Sequence, residues 1–552
     1  MNTPRLFPSL WNLAGNPVFR RYAAARLRPL RLAVWVLFTQ LLVGFMWLIG
    51  AMICLLGESE QFIFSVSSSE FRELLAAHGR EAALAAWLPV LVVQVLLMII
   101  MGTFSVATGV AREGNEGMMD AMLLTPMPTG HRVVGQLLGL PVLENLLALL
   151  LMPWVGLSMW LGHLPPAMVG KIYLLLATSV LFHHAVGLLA GTIIRQKILA
   201  GTLSQVCVLL LHFVLPYFGK FGIGMIAYLA VEPAIQQVAV ASLPEVFVTL
   251  GMAAPDSMLT TVRFFRWELG LPGYHWLITV SALAALLWVL ARRWKNPESQ
   301  LLGKIGTIVL SAWLLLLTCG EFIPLLESGG IPTRSLQRYV ENGLDENGSG
   351  ISSGLGLLRL VAIGVAMGCV NLLLTSALVP SPQARRRAVG HRWWSDGRDA
   401  MPWVAAISVL SAVAWCGLFE AFFKGTSSSI SFTHAVAAGD AWVLFASLVV
   451  PSAAWYALVL WRGWQQALVI GFLVAVLPLM LSSVSLLGFG KTFSGLDASA
   501  LLLPWHGAML RFSPEGASMP QAVFFTSLGL HTVAAAVMWW LARGAGRAPD
   551  VE

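Results

Sequence analysis

Apolar runs of about 20 residues recur from one end of the chain to the other, and a helix of that length crosses the hydrocarbon layer of a membrane. Such runs leave little choice of fold. In lipid every backbone amide and carbonyl must find its partner inside the segment, which a helix achieves and an open strand does not. About twelve candidate spans follow, near 32–56, 85–109, 137–161, 167–193, 198–218, 274–291, 304–326, 355–379, 401–423, 439–460, 465–487 and 521–542. The expected fold class is an all-α polytopic membrane protein. Composition agrees, because hydrophobic residues fill 57% of 552 positions and charged residues only 11%, against about 25% in soluble domains.

Lys and Arg set the orientation, since they are held back on the cytoplasmic side during insertion. With the N-terminus inside, 22 of the 34 basic residues fall in the shorter, cytoplasmic segments, so both termini are expected in the cytoplasm of a bacterial-type inner membrane. The first span is expected to stay in place: arginines precede it and no small-residue cleavage site follows. The domain plan is a cytoplasmic N-terminal segment at 1–31, a six-span domain at 32–295, a linker at 296–303 and a second six-span domain at 304–552. Residues 219–273 are too apolar for a free loop and contain Pro233 and Pro244. They read as a kinked continuation of the fifth span followed by helices dipping into the outer leaflet. The loop at 327–354 is polar and glycine-rich.

The five cysteines, Cys54, Cys207, Cys319, Cys369 and Cys416, lie far apart in apolar runs and read as packing residues; no disulfide framework or metal site is expected. One stretch stands out between the second and third spans: AREGNEGMMDAMLLTPMP, residues 111–128. A helix over 113–124 would put Glu113, Glu116 and Asp120 on one face at i, i+3 and i+7, with Met118, Met119 and Met122 opposite. Pro126 and Pro128 would end it. Such an amphipathic piece offers an acidic rim to water or a basic partner, and a methionine side to an adaptable groove. A plain interfacial connector has the same composition.

The sequence Glu116-Gly117, Asp120, Leu123-Leu124, Thr125-Pro126, followed by an apolar span, resembles the motif after the second span in permease subunits of type-2 ABC exporters. The arginine-rich stretch at 16–31 is similar to that family's interfacial helix before the first span. The resemblance covers about residues 12–295. It implies that 111–130 is a coupling segment seated in a separate cytosolic ABC ATPase, that ATP and Mg bind to that partner and no cofactor to this chain, and that two chains, a homodimer, surround a dimeric ATPase. The second half has no further copy of the motif, and its loop at 380–399 is basic.

Within this chain Gly490-Lys491-Thr492 imitates the end of a phosphate loop, but Ser485 stands where the first glycine belongs. Energy is therefore expected from a partner or from a gradient. A gradient-driven transporter would use ionisable residues inside spans: Glu144, His183, His184, His212, Glu321, Glu420 or His531, with Glu144 and His183 or His184 as the leading pair. A membrane-embedded lipid-linked transferase would need paired carboxylates or a metal cluster. Asp345-Glu346 lacks histidine support for that, and Asp396 and Asp399 sit among arginines. The basic loops suit anionic membrane lipids and call for no nucleic acid.

Overall fold

The computed structural model describes residues 15–56, 68–118, 127–194, 196–216, 224–243, 261–295, 302–327, 370–372, 374–380, 400–425, 438–462 and 521–545. Eight helices among them are long and apolar enough to cross a membrane. The chain is a helical membrane protein. Its contacts divide it into two compact units, one of residues 1–219, 226–262 and 269–295, the other of 220–225, 263–268 and 296–552.

In the first unit, α1 (Pro17–Arg26) precedes α2 (Pro29–Leu56), the first span. The second span is longer than its hydropathy suggests: α3 (Ser68–Val95) continues through a π-helical segment, Leu96–Met101, into α4 (Gly102–Asn115). The third is broken into α5 (Thr129–Gly139), α6 (Val142–Leu150) and α7 (Met152–Gly162). Pro141 and Pro153 mark the breaks, because neither can donate the next helical hydrogen bond. α8 (Pro166–Ile193) is the fourth span, α9 (Lys197–Leu209) with a π-helical end at Leu210–Val214 is the fifth, and α11 (Leu271–Lys295) is the sixth. Between the last two lies α10 (Glu232–Ser242), a short helix packed on α8 and α11.

Two expectations are corrected here. The outer segment is not wholly helical, for Thr261–Phe264 (β1) pairs with Trp267–Gly270 (β2) across a turn in which Phe265 has φ +53°. The helix expected over 113–124 is not continuous either, since α4 ends at Asn115.

The core of this unit is built by close helix approach. α4 packs on α8 and α9, and α2 packs on α3. A Cβ on Gly187 would lie 2.7 Å from the Thr103 carbonyl oxygen, and one on Gly191 would lie 2.5 Å from that of Ala107. Only glycine at this four-residue spacing lets α8 lie directly on the α4 backbone. Trp47, Trp87, Leu91, Ile99, Leu147 and Ile172 fill one apolar cluster; Val106, Val110, Leu137, Leu188 and Leu290 fill another.

The second unit contains α12 (Lys304–Glu327), α13 (Met401–Gly425), α14 (Ala438–Arg462) and α15 (Gln521–Ala545), each packed on the next. Its buried Glu321 accepts the amides of Gly224 and, at 2.8 Å, Met225, so this carboxylate caps a helical turn. The span expected at 465–487, most of that at 355–379, the loops at 327–354 and 380–399, the phosphate-loop lookalike and the Glu420 side chain lie outside the described residues.

Candidate functional site

The second span ends in a designed stop. The amide of Glu116 donates to the Arg112 carbonyl, and Gly117 then turns left-handed at φ +69°, which costs glycine nothing. Just inside that end Glu113 points into the protein, 4% exposed. An uncompensated carboxylate there would cost several kcal/mol. Three donors compensate it: Arg21 and Tyr22 of α1 on Oε1, and Gln136 of α5 on Oε2 at 2.7 Å. Arg21 also donates to the Tyr22 hydroxyl at 2.9 Å and lies 4.7 Å from the centre of its ring. Burial first, and the Glu113 charge second, push the Tyr22 phenol well above its ordinary range, so it stays a donor.

The same helices are tied again nearby. Asn16 accepts the amides of Val18 and Phe19 at 3.0 and 3.3 Å, capping α1, and its Nδ2 donates to the His131 carbonyl of α5 at 2.8 Å. Arg26 donates to both oxygens of buried Glu144 at 3.0 and 3.2 Å, and Ser105 of α4 donates to the same carboxylate. Two buried carboxylates thus bind α1, α4, α5 and α6 into one block.

Glu113 therefore belongs to no water-facing acidic rim; it faces inward because α1 supplies its donors. Glu116 does face water, in an exposed ion pair with Arg112 at 2.6 Å. Asp120, Leu123, Leu124, Thr125 and Pro126 lie outside the described residues. Nor does the structure pair Glu144 with His183 or His184, since Arg26 and Ser105 occupy it.

Both histidines serve a second region, deeper along the spans. The π-helical segments at Leu96–Met101 and Leu210–Val214 widen their helices and displace carbonyls from the usual ladder. Side chains bind two carbonyls of the segment in the second span: His184 Nε2 donates to the Met98 carbonyl at 2.9 Å, and Gln205 Nε2 to that of Ile100 at 2.9 Å. Both π segments line a cavity of about 500 Å³, with α3 and α10 completing its walls. Trp87, Leu91, Ile99, Phe213 and Ile235 are typical of the apolar lining, which is interrupted by His212, Glu232 and Gln236. The volume suits a small-molecule site.

A polar chain runs along that wall. His183 Nδ1 lies 2.7 Å from the Ser179 carbonyl, which can only accept, so Nδ1 carries a proton. His212 Nε2 stands 3.1 Å from His183 Nε2, with the ring planes 17° apart, so one of these two nitrogens donates to the other. The other nitrogen, Nδ1 of His212, is 2.6 Å from Glu232 Oε1. Ser179, His183, His212 and Glu232 thus lie in one line of polar contacts. Among the described residues no group of His, Cys, Asp and Glu is arranged to hold a metal ion.

Sequence reasoning missed Tyr22, Gln136, Ser105, Gln205 and Glu232. Only Glu232 carried a signal, as an acid beside Pro233 in an otherwise apolar outer segment. No protein-family model, curated protein or solved structure matches the chain.

Proposed function

We propose that this chain is the permease subunit of an ATP-driven exporter, worked by a separate cytosolic ABC ATPase that grips the segment between Glu116 and Pro128. The Glu113 block carries this reading. A force applied at that segment acts on the end of the second span, and Glu113 passes it at once to α1 through Arg21 and Tyr22 and to the third span through Gln136. The likeness of Glu116-Gly117, Asp120, Leu123-Leu124 and Thr125-Pro126 to type-2 ABC exporter permeases supports the identity of the partner. In this arrangement ATP and Mg bind the partner and no chemistry is done by this chain. Twelve spans, both termini in the cytoplasm of an inner membrane, and two copies of the chain around a dimeric ATPase complete the proposal.

The cargo path runs through the cavity. Its π-helical walls belong to the second and fifth spans, so motion of the block at one end of the second span reaches the lining. A π turn can revert to α by shifting one residue, which gives the wall two packings for the ATPase to bias. The lining suits a molecule with an apolar body and one hydrogen-bonding end.

The test is vanadate-sensitive ATP hydrolysis copurifying with the tagged chain from native membranes. Glu116→Lys with Asp120→Lys, which leaves Glu113 in place, is expected to abolish it without loss of the inserted protein. Undiminished hydrolysis in that variant would overturn the assignment. A second reading, a proton-coupled carrier, is favoured by the line of titratable side chains His183, His212 and Glu232 at the cavity wall. Transport that survives loss of the ATPase but stops with a protonophore would select it.

A further inference from the structure

A second cavity, of about 460 Å³, opens beside the Glu113 block and gathers cations from four helices. Arg21, Arg26, Arg31, Arg112 and Lys197 line it, against two carboxylates, Glu113 and Glu116. The acids are already engaged. Arg21 holds Glu113, Arg112 holds Glu116, and Arg26 is committed to Glu144. That leaves Arg31 and Lys197, both exposed, for which no ion pair is formed among the described residues. Lys197 is also the first residue of α9, whose Gln196 cap makes no side-chain bond to the free amides of the first turn, and such an end favours an anion.

What lies next to these two cations identifies the ligand. Arg31 shares a helix face with Val34 and Phe38, at i+3 and i+7, and these are 59% and 56% exposed. Ile198 and Leu199, directly after Lys197, are also exposed, at 74% and 52%. In a membrane protein such bare apolar surface meets acyl chains. A positive cavity that continues onto acyl-facing surface on two spans matches a molecule with a phosphate at one end and hydrocarbon at the other.

We infer that this cavity is a binding site for the phosphate headgroup of an anionic phospholipid, held by Arg31 and Lys197, with the acyl chains laid along Val34 and Phe38. The site stands apart from the cargo path and does not depend on what drives transport. A lipid seated there touches Arg26 and Arg112, so it supports the ion pairs of the block from outside.

Native mass spectrometry of the full chain, released from vesicles of phosphatidylglycerol and phosphatidylcholine, tests this. The wild type is expected to retain phosphatidylglycerol preferentially. Arg31→Gln with Lys197→Gln should lower that retention roughly 30-fold, the change for two surface cations each contributing about 1 kcal/mol. Arg31→Lys with Lys197→Arg should restore it, and Arg20→Gln with Arg28→Gln, an equal loss of charge on exposed positions outside the cavity lining, should leave it unchanged. Equal losses in both glutamine pairs would mean diffuse attraction and overturn the site. So would retention of inorganic phosphate, added alone, in place of any phospholipid.

Discussion

The Glu113 block and the wall of the apolar cavity both bury polar side chains within the first unit, but they spend their hydrogen bonds differently. In the block, side chains from α1 and α5 converge on a carboxylate of α4, and the helices that meet there keep their regular backbone ladder. At the cavity wall the ladder itself is altered to the π pattern, and His184 and Gln205 donate to carbonyls of that π turn. The first arrangement resists relative motion of helices, because shifting any one strands a buried charge. The second permits a change of register, because the partners of those carbonyls are side chains that can follow. A rigid end and an adjustable middle on one helix are what a lever needs.

Breaking the block should have the largest effect. Glu113→Ala leaves Tyr22 and Gln136 without their acceptor, a loss of about 2–4 kcal/mol, with Arg21 sheltered from the full penalty by its 42% exposure. Thermal unfolding in detergent is the measurement, and Glu113→Gln should recover part of the loss. A wild-type melting temperature for the alanine variant would erase the contrast between the two regions.

Next comes the contact that binds the two regions together. Gly191→Val forces a side chain into the α4 backbone and is expected to destabilise by about 1–3 kcal/mol. The same substitution at Gly170, which has open space around it, should be far milder. Similar losses at the two positions would argue against close approach of α4 and α8.

The wall should respond locally. His184→Leu deprives the Met98 carbonyl of its donor, about 1–3 kcal/mol of local stability. Hydrogen exchange should quicken over 96–102 while α1 and α5 keep their protection. If exchange rises equally in both places, the two regions are one cooperative body and the comparison fails. At the small end, Glu116→Ala removes only an exposed i,i+4 pair and should shift stability by less than about 0.5 kcal/mol.

These contrasts divide sharply in how far the sequence reveals them. The spans at 304–326 and 401–423 agree with α12 and α13 to within a few residues, because desolvating a polar residue at each end fixes where an apolar helix can stop. The partners of Glu113 were not legible. Arg21 and Tyr22 lie more than ninety positions away, and no periodicity on α4 announces a neighbour on α1. A surface rim and a buried ligand of an arginine share the same i, i+3 spacing. The π segments, LLMIIM and LLHFV, are also silent, since their residues suit an α-helix equally well and tertiary contacts select the wider turn. The β1–β2 hairpin did carry a mark: Val262 and Phe264 alternate with exposed residues, a period of two inside a segment read as helical. In the second region His183, His184 and His212 were visible as candidates, and Ser179 lies one turn from His183 on α8, but Met98 and Glu232 become partners only through the way the second span, α8, α9 and α10 meet.

The central claim is that work done at the Glu116–Pro128 segment reaches the cavity wall. Spin labels on Leu96→Cys and Leu209→Cys, both half-exposed at the cavity and placed in a background without the five native cysteines, read that wall directly. In the complex purified from native membranes, trapping with ATP and vanadate should shift the distance between the labels, and Glu116→Lys with Asp120→Lys should abolish the shift. A wall that moves with proton concentration and ignores trapped nucleotide would contradict the account.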